Sequence, residues 1–423
     1  MRDRSPMASL AEASRPLTAP GRPTKQELAI DALAVGGVGL ASLLVFALRG
    51  RVPFTSDQGI ISLMALDILE RGRHPVFCYG SDYAGTLEAH LLAVAFGLFD
   101  ATPAVFRITM GVLAVLTIVT VWGIARFAFG RRAALSAGLY MALGPSYIQF
   151  KLLTSDGGYS SLALSCALAM LAFLVADARV RAGRPALLPF AGFGFFAGVA
   201  WWILPLSAAL VGACALAWLL AGRRSLSIRV LATAAVAAAT GAFPWLYKNA
   251  LSGWPSLRAP EMGLVTSTGL LENMRELARI GWPTLVGSWH VWRPGSPPLS
   301  ASGLAILLFA LVTVFALRRA IRERREGGRL ALVLLLGMAL IPSALSVLAR
   351  RSDYVEPRYL LLSYLGLAPL CGLILDSTWN RTGRRIALLL AFFALGPVNQ
   401  WTAPPLERWD QAEFGAAPAD VAK

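Results

Sequence analysis

Long apolar runs alternate along the chain with short stretches where arginine, glycine and proline gather. The runs cover 29–49, 104–126, 131–149, 157–177, 186–203, 205–221, 228–247, 302–318, 330–348, 359–376 and 386–402. A helix needs about 20 apolar residues to cross about 30 Å of hydrocarbon, and these blocks are close to that length. The pattern predicts an all-α polytopic membrane protein with about eleven transmembrane helices. One further block, "AGTLEAHLLAVAFGLF" at 84–99, carries Glu88 and His90. As a helix it rises only about 24 Å, short of a full crossing. A different periodicity marks "DQGIISLMALDILERG" at 57–72. There Ile60, Ile61, Met64, Ile68 and Leu69 share one helical face while Asp67, Glu70 and Arg71 lie elsewhere, the pattern of a helix lying in the membrane interface.

Arginine decides how the runs are threaded. If 84–99 does not cross, Arg131, Arg132, Arg179, Arg181, Arg223, Arg224 and the cluster Arg318 to Arg329 all fall on the N-terminal side. The other side then carries few basic residues, among them Lys151, Arg350, Arg351 and Arg358. Loops rich in lysine and arginine stay in the cytoplasm, so the N-terminus is expected inside and the C-terminus outside. The expected layout is a disordered cytoplasmic tail (1–28), a transmembrane domain (29–402) with long outer loops at 50–103 and 248–301, and a short outer tail (403–423).

Composition agrees with this reading. Of 423 residues, 56% are hydrophobic and 15% charged, against about 25% charged in soluble domains. The net charge of +15 belongs to the loop arginines and does not call for nucleic acid. Cys166, Cys214 and Cys371 lie inside apolar runs and Cys78 stands alone in a loop, which excludes a disulfide framework or a zinc site. With three histidines, no HExxH and no DxD, no metal or other cofactor is expected. No phosphate-binding glycine loop points to ATP-driven transport.

Several polar residues gather on the outer side. Asp57 follows the first run and Asp156 precedes the fourth, in "LLTSDGGYSS"; each can be read as a helix cap or as a working acid. Glu88 and His90 lie in an apolar interfacial helix, where polar groups are costly unless paired or functional. Arg358 opens a span from the same side, as an interfacial anchor, a partner for Glu356 or a phosphate ligand. The set suits transfer between a lipid-held phosphate donor and a hydroxyl acceptor. A carboxylate taking the acceptor's proton contributes about 10²–10⁴ in rate, and a guanidinium steadies the departing phosphate.

"FTSDQGIISLMALDILERGRHPVFCYGSDYAGTLEAHLLAVAFGLF" resembles the first outer loop of GT-C membrane glycosyltransferases of the protein O-mannosyltransferase and aminoarabinose transferase kind. In the same order follow "RFAFGRRAALSAGLYMALGPSYI", "GVAWWILP", "FPWLYKNALSGWPSL" and "PRYLLLSYLGLAPL". The resemblance implies sugar transfer with inversion, from a polyprenyl-phosphate donor to a lipid, glycan or protein acceptor, at the outer face of the cytoplasmic membrane. Asp57 then matches the catalytic base and Asp156 the later acid. Tyr83 and Glu88 match substrate-binding polar positions, and Lys248, Arg258 and Arg358 are candidates for the donor phosphate. The family usually follows its base with a second acid; here Gln58 stands there, which weakens a metal-binding reading. The family's soluble C-terminal domain has no counterpart in the residues after 402, so an acceptor-binding module is expected to be absent or supplied by another protein. A flippase for lipid-linked saccharide remains the alternative. Such transporters bind at mid-membrane between repeated halves, whereas here no internal repeat is evident and the polar residues collect at one face.

Overall fold

The computed structural model describes residues 24–49, 54–155, 157–222, 227–258, 269–290, 297–348, 357–378 and 395–402. Helix α1 (Lys25–Leu48) begins at Thr24, whose hydroxyl accepts the Glu27 N–H at 3.1 Å; the helix thus starts inside the segment expected to be a tail. Helix α2 (Ser56–Arg71) is capped by the Thr55 hydroxyl on the Gln58 N–H and ends at Gly72, which adopts the left-handed conformation (φ 61°) that glycine tolerates best. Next come α3 (Leu87–Phe99) and α4 (Pro103–Phe129), the latter opened by a Thr102 cap with proline at its first position. The expected span 131–149 is two helices, α5 (Arg131–Ala142) and α6 (Ser146–Leu153), separated at Gly144 and Pro145 where proline removes a backbone donor. Then follow α7 (Tyr159–Arg181), α8 (Leu187–Ile203) and α9 (Ala208–Ala217). Helices α10 (Ile228–Gly241) and α11 (Phe243–Ser252) meet at a 67° bend. The second long loop, expected to lie outside, holds α12 (Leu270–Glu276) and α13 (Trp282–Val286). Helices α14 (Leu299–Arg322), α15 (Glu326–Leu348), α16 (Leu361–Ser377) and α17 (Leu395–Thr402) complete the set.

The fold is all-α and multi-pass. Among the described residues, six helical segments are long and apolar enough to cross a membrane, seven if the bent α10–α11 pair is one span. The expected eleven is not reached by that measure. The 131–149 run breaks in two, α8 has 17 residues, and 205–221 is pieced together from short turns around α9. Only 395–402 of the last run lies within the described residues. Within block 84–99 lies α3, whose 13 residues rise about 20 Å, less than about 30 Å of hydrocarbon.

Where helices pack, backbones approach closely. A Cβ on Gly198 would stand 2.1 Å from the Ala238 carbonyl, and one on Gly366 would stand 2.3 Å from that of Leu335. Small residues at such crossings let helices associate in lipid, where the hydrophobic effect between them is weak. An ion pair ties α1 to α5: the exposed Arg131 grips the buried Asp31 carboxylate at 2.7 and 2.8 Å.

Helices α2 and α3 lie against each other and against the start of α4, burying Ile61, Met64 and Ala65 on Leu92, Phe96, Phe106 and Met110. This is the predicted pair of short outer-loop helices, with one change of face. Leu69 turns outward, and Gln58 takes a fully buried place in the row instead.

Candidate functional site

The site grows from the loop between α2 and α3. Asp57 is the second residue of α2, and Thr55 already caps that helix, so Asp57 is not its N-cap. Its side chain is exposed. The adjacent Gln58 is fully buried, and neither of its amide atoms has a hydrogen-bond partner. Buried amides without partners are rare.

Residues 73–86 fold back beside these groups. Cys78 N–H donates to the Ala84 carbonyl at 2.8 Å, and the Thr86 hydroxyl donates to the Pro75 carbonyl at 2.5 Å. The fold-back is stitched to the end of α8. Gly85 N–H donates to the Ile203 carbonyl at 2.9 Å, and Trp202 Nε1 donates to the Val76 carbonyl at 3.0 Å. At the far end of α2, Asp67 accepts from Tyr79 and from Arg71, at 2.6 and 2.7 Å. No side chain fits at Gly85, because a Cβ there would lie 2.4 Å from the Trp202 carbonyl oxygen. Gly85→Ala is therefore expected to spring the loop from α8 and speed proteolysis between residues 72 and 87, read by limited trypsin digestion; unchanged digestion counts against the stitch.

Cys78 lies in the same fold-back. Burial pushes its thiol up to about 12, and the Glu88 and Asp57 carboxylates add to the shift.

Glu88 is nearly inaccessible, at 2% exposure. Its carboxylate accepts the Ser161 N–H and hydroxyl at 2.8 and 2.9 Å and a short bond from the Ser155 hydroxyl. Helix α7 starts at Gly158, which has no side chain to cap it. Glu88 supplies that cap from 73 positions away, and the negative charge suits a helix N-terminus. Asp156, the other predicted catalytic acid, lies outside the described residues.

A second group in this region was read from sequence only as a marker of sidedness. Lys151, on α6, is fully buried, with its ammonium 5.3 Å from the Phe150 ring and 5.7 Å from the Tyr147 ring. The signal for it was slight: Lys151 is the one basic residue between Arg132 and Arg179. A buried ammonium is held only where its surroundings compensate it, and the Phe150 and Tyr147 rings are part of those surroundings.

The remaining predicted residues divide between two corners. Tyr83 is half-buried, and the neighbouring Asp82 carbonyl accepts from the Ser256 hydroxyl. Ser256 in turn bonds Asn249 of α11 at 2.9 and 3.2 Å. Exposed Lys248 and Arg258 flank this junction, so they sit on segments tied to the Tyr83 loop. Arg358 is half-buried, 5.5 Å from the Tyr359 ring, on a turn that packs against α15 and α16 and the second long loop. His290 of that loop is buried, with Nδ1 3.3 Å from the Ser146 hydroxyl and Nε2 3.0 Å from that of Thr402. It joins the loop to α6 and α17. Among the described residues, no three of His, Cys, Asp and Glu gather as a metal site.

No family model matches the sequence, and no curated protein matches it. Solved structures do. ArnT from Cupriavidus metallidurans bound to undecaprenyl phosphate is similar with a TM-score of 0.53 and 17% identity, over 87% of this chain and 64% of ArnT. Apo ArnT gives 0.57 and 17%, over 85% and 63%. The apo oligosaccharyltransferase of Archaeoglobus fulgidus gives 0.55 and 13%, over 92% and 58%. The chain spans less than two-thirds of the length of each of these proteins. The chain shares the fold of ArnT and of the oligosaccharyltransferase.

Proposed function

We propose that this chain is a multi-pass glycosyltransferase of the cytoplasmic membrane, moving a sugar from a polyprenyl-phosphate donor to an acceptor hydroxyl at the outer face. One observation carries the reading. In a fold shared with a protein whose structure holds undecaprenyl phosphate, the exposed carboxylate of Asp57 stands in the first turn of α2 and is not used as the cap of that helix, which Thr55 supplies.

In this reading the acceptor oxygen attacks the anomeric carbon, its proton passes to the Asp57 carboxylate, and the bond from that carbon to the phosphate oxygen breaks. Polyprenyl phosphate leaves with the electron pair, and the anomeric centre inverts. Glu88 is a positioning residue, holding the start of α7 against the loop. Asp156 is retained as a second acid on its place in the sequence, and Tyr83 as a substrate contact. Lys248, Arg258 and Arg358 are the candidates for the donor phosphate.

The test is to incubate the purified chain with radiolabelled polyprenyl-phosphate sugar and cell-envelope acceptors. Label is expected to leave the lipid for a lipid, glycan or protein acceptor. Label that crosses a vesicle membrane but stays on the carrier supports the flippase instead. Among the basic residues, Arg358→Ala is expected to raise the donor KM about tenfold to a hundredfold, the range for a lost hydrogen bond to a charged group. A rise confined to the acceptor KM moves the phosphate site elsewhere.

A further inference from the structure

Helix α7 has 23 residues and rises about 35 Å. Its first turn is held by Glu88, and its last residue is Arg181. At this second end, expected to face the cytoplasm, a cavity of about 460 Å³ opens among the ends of α4, α7, α14, α15 and α16. A neighbouring cavity of about 760 Å³ runs along α14 and α16 and shares Arg319, Leu373 and Asp376 with the first.

The walls are of two kinds. Phe129, Leu174, Leu332 and Leu373 line the interior of the first cavity, and Leu311 and Val314 give the second an apolar flank that is partly exposed. Arg181, Arg318, Arg319, Arg322 and Arg325 stand around the two, against Glu323 and Asp376. Arg181 is paired with Asp177 at 2.6 Å and Arg319 with Glu323 at 3.6 Å. Five arginines against two lining acids leave the lining positive. The guanidinium of Arg181 lies over Gly327, where a Cβ would stand 1.8 Å from its Nη1.

Arginines that only fix orientation need no cavity, since a solvated loop serves. Here they border concave space whose other walls are apolar and continue onto the outer face of α14. That arrangement fits a molecule with an anionic head and hydrocarbon chains, because basic pockets between helices bind such headgroups. We propose that this end of the bundle binds a lipid-borne phosphate, the headgroup among the arginines and the chains along Leu311 and Val314. Two lipids carry that chemistry, an anionic phospholipid and a polyprenyl phosphate. The proposal does not depend on the glycosyl-transfer reading.

The test is native mass spectrometry of the delipidated full chain, with phosphatidylglycerol, undecaprenyl phosphate, phosphatidylethanolamine or inorganic phosphate added separately. Phosphatidylglycerol, undecaprenyl phosphate or both should be retained over phosphatidylethanolamine. The triple variant R318Q/R319Q/R322Q should cut that retention roughly tenfold or more, and lysine at the same positions should largely restore it. Because undecaprenyl phosphate can also bind at the Asp57 end, only the fraction lost in the triple variant counts for this site. Leu332→Trp, which fills the wall and keeps every arginine, should lower retention as well. Equal retention of phosphatidylglycerol and phosphatidylethanolamine with no arginine-dependent undecaprenyl phosphate overturns the proposal. Binding of inorganic phosphate alone, or retention unchanged in both the triple variant and Leu332→Trp, overturns it too.

Discussion

Asp57→Asn is expected to insert, fold and bind donor as the native chain does while losing sugar transfer by at least 10²-fold, the lower end of what a positioned general base contributes. The substitution keeps the size and polarity of the side chain and removes only its ability to hold a proton. Folding should be spared because Thr55, not Asp57, caps α2, and because the Asp57 side chain is exposed. The expected pattern is a fall in kcat with an unchanged donor KM, measured with radiolabelled polyprenyl-phosphate sugar on protein whose unfolding temperature matches the native chain. Full activity in this variant would remove Asp57 as the base.

Glu88 should show the largest effect on stability. In Glu88→Ala the Ser155 hydroxyl and the Ser161 N–H lose their acceptor, while the Ser161 hydroxyl keeps only the Gly158 carbonyl at 3.0 Å. Buried donors left unsatisfied cost roughly 1–3 kcal/mol each, and the site is too enclosed for water to replace the carboxylate without rearrangement. A destabilisation of about 3 kcal/mol or more is expected, seen as a lowered unfolding temperature in detergent. Glu88→Gln keeps the shape and one acceptor oxygen, so it should fall between the two. As a positioning residue, Glu88 should give a glutamine variant whose kcat/KM falls only as far as its stability does. A glutamine variant that is stable but inactive assigns the charge to the transfer itself. An alanine variant as stable as the native chain ends the capping account.

The hydrophobic pattern carried much of the fold. Apolar length is a local quantity, and the bilayer acts on it as a solvent, which is why the multi-pass α-helical class and the two short helices after the first run were legible. The span count was less so. Proline at 145 and the 67° bend at α10–α11 divide runs that look continuous in hydropathy, because a break costs little where neighbouring helices cover the exposed backbone. Period alone puts Leu69 on one face with Ile61 and Met64, yet Leu69 is exposed and the buried place goes to Gln58, a polar residue that periodicity would send to water.

The sequence by itself determined that the chain lives in a membrane as helices, and which residue types stand near the loop after the first run. Tertiary structure alone decided what those residues do. Glu88 became the cap of a helix 73 positions away because Gly158 cannot cap its own. Lys151 became a buried ammonium, and five arginines met around two cavities. Each of these is a contact between distant segments, fixed by how helices pack rather than by any spacing along the chain.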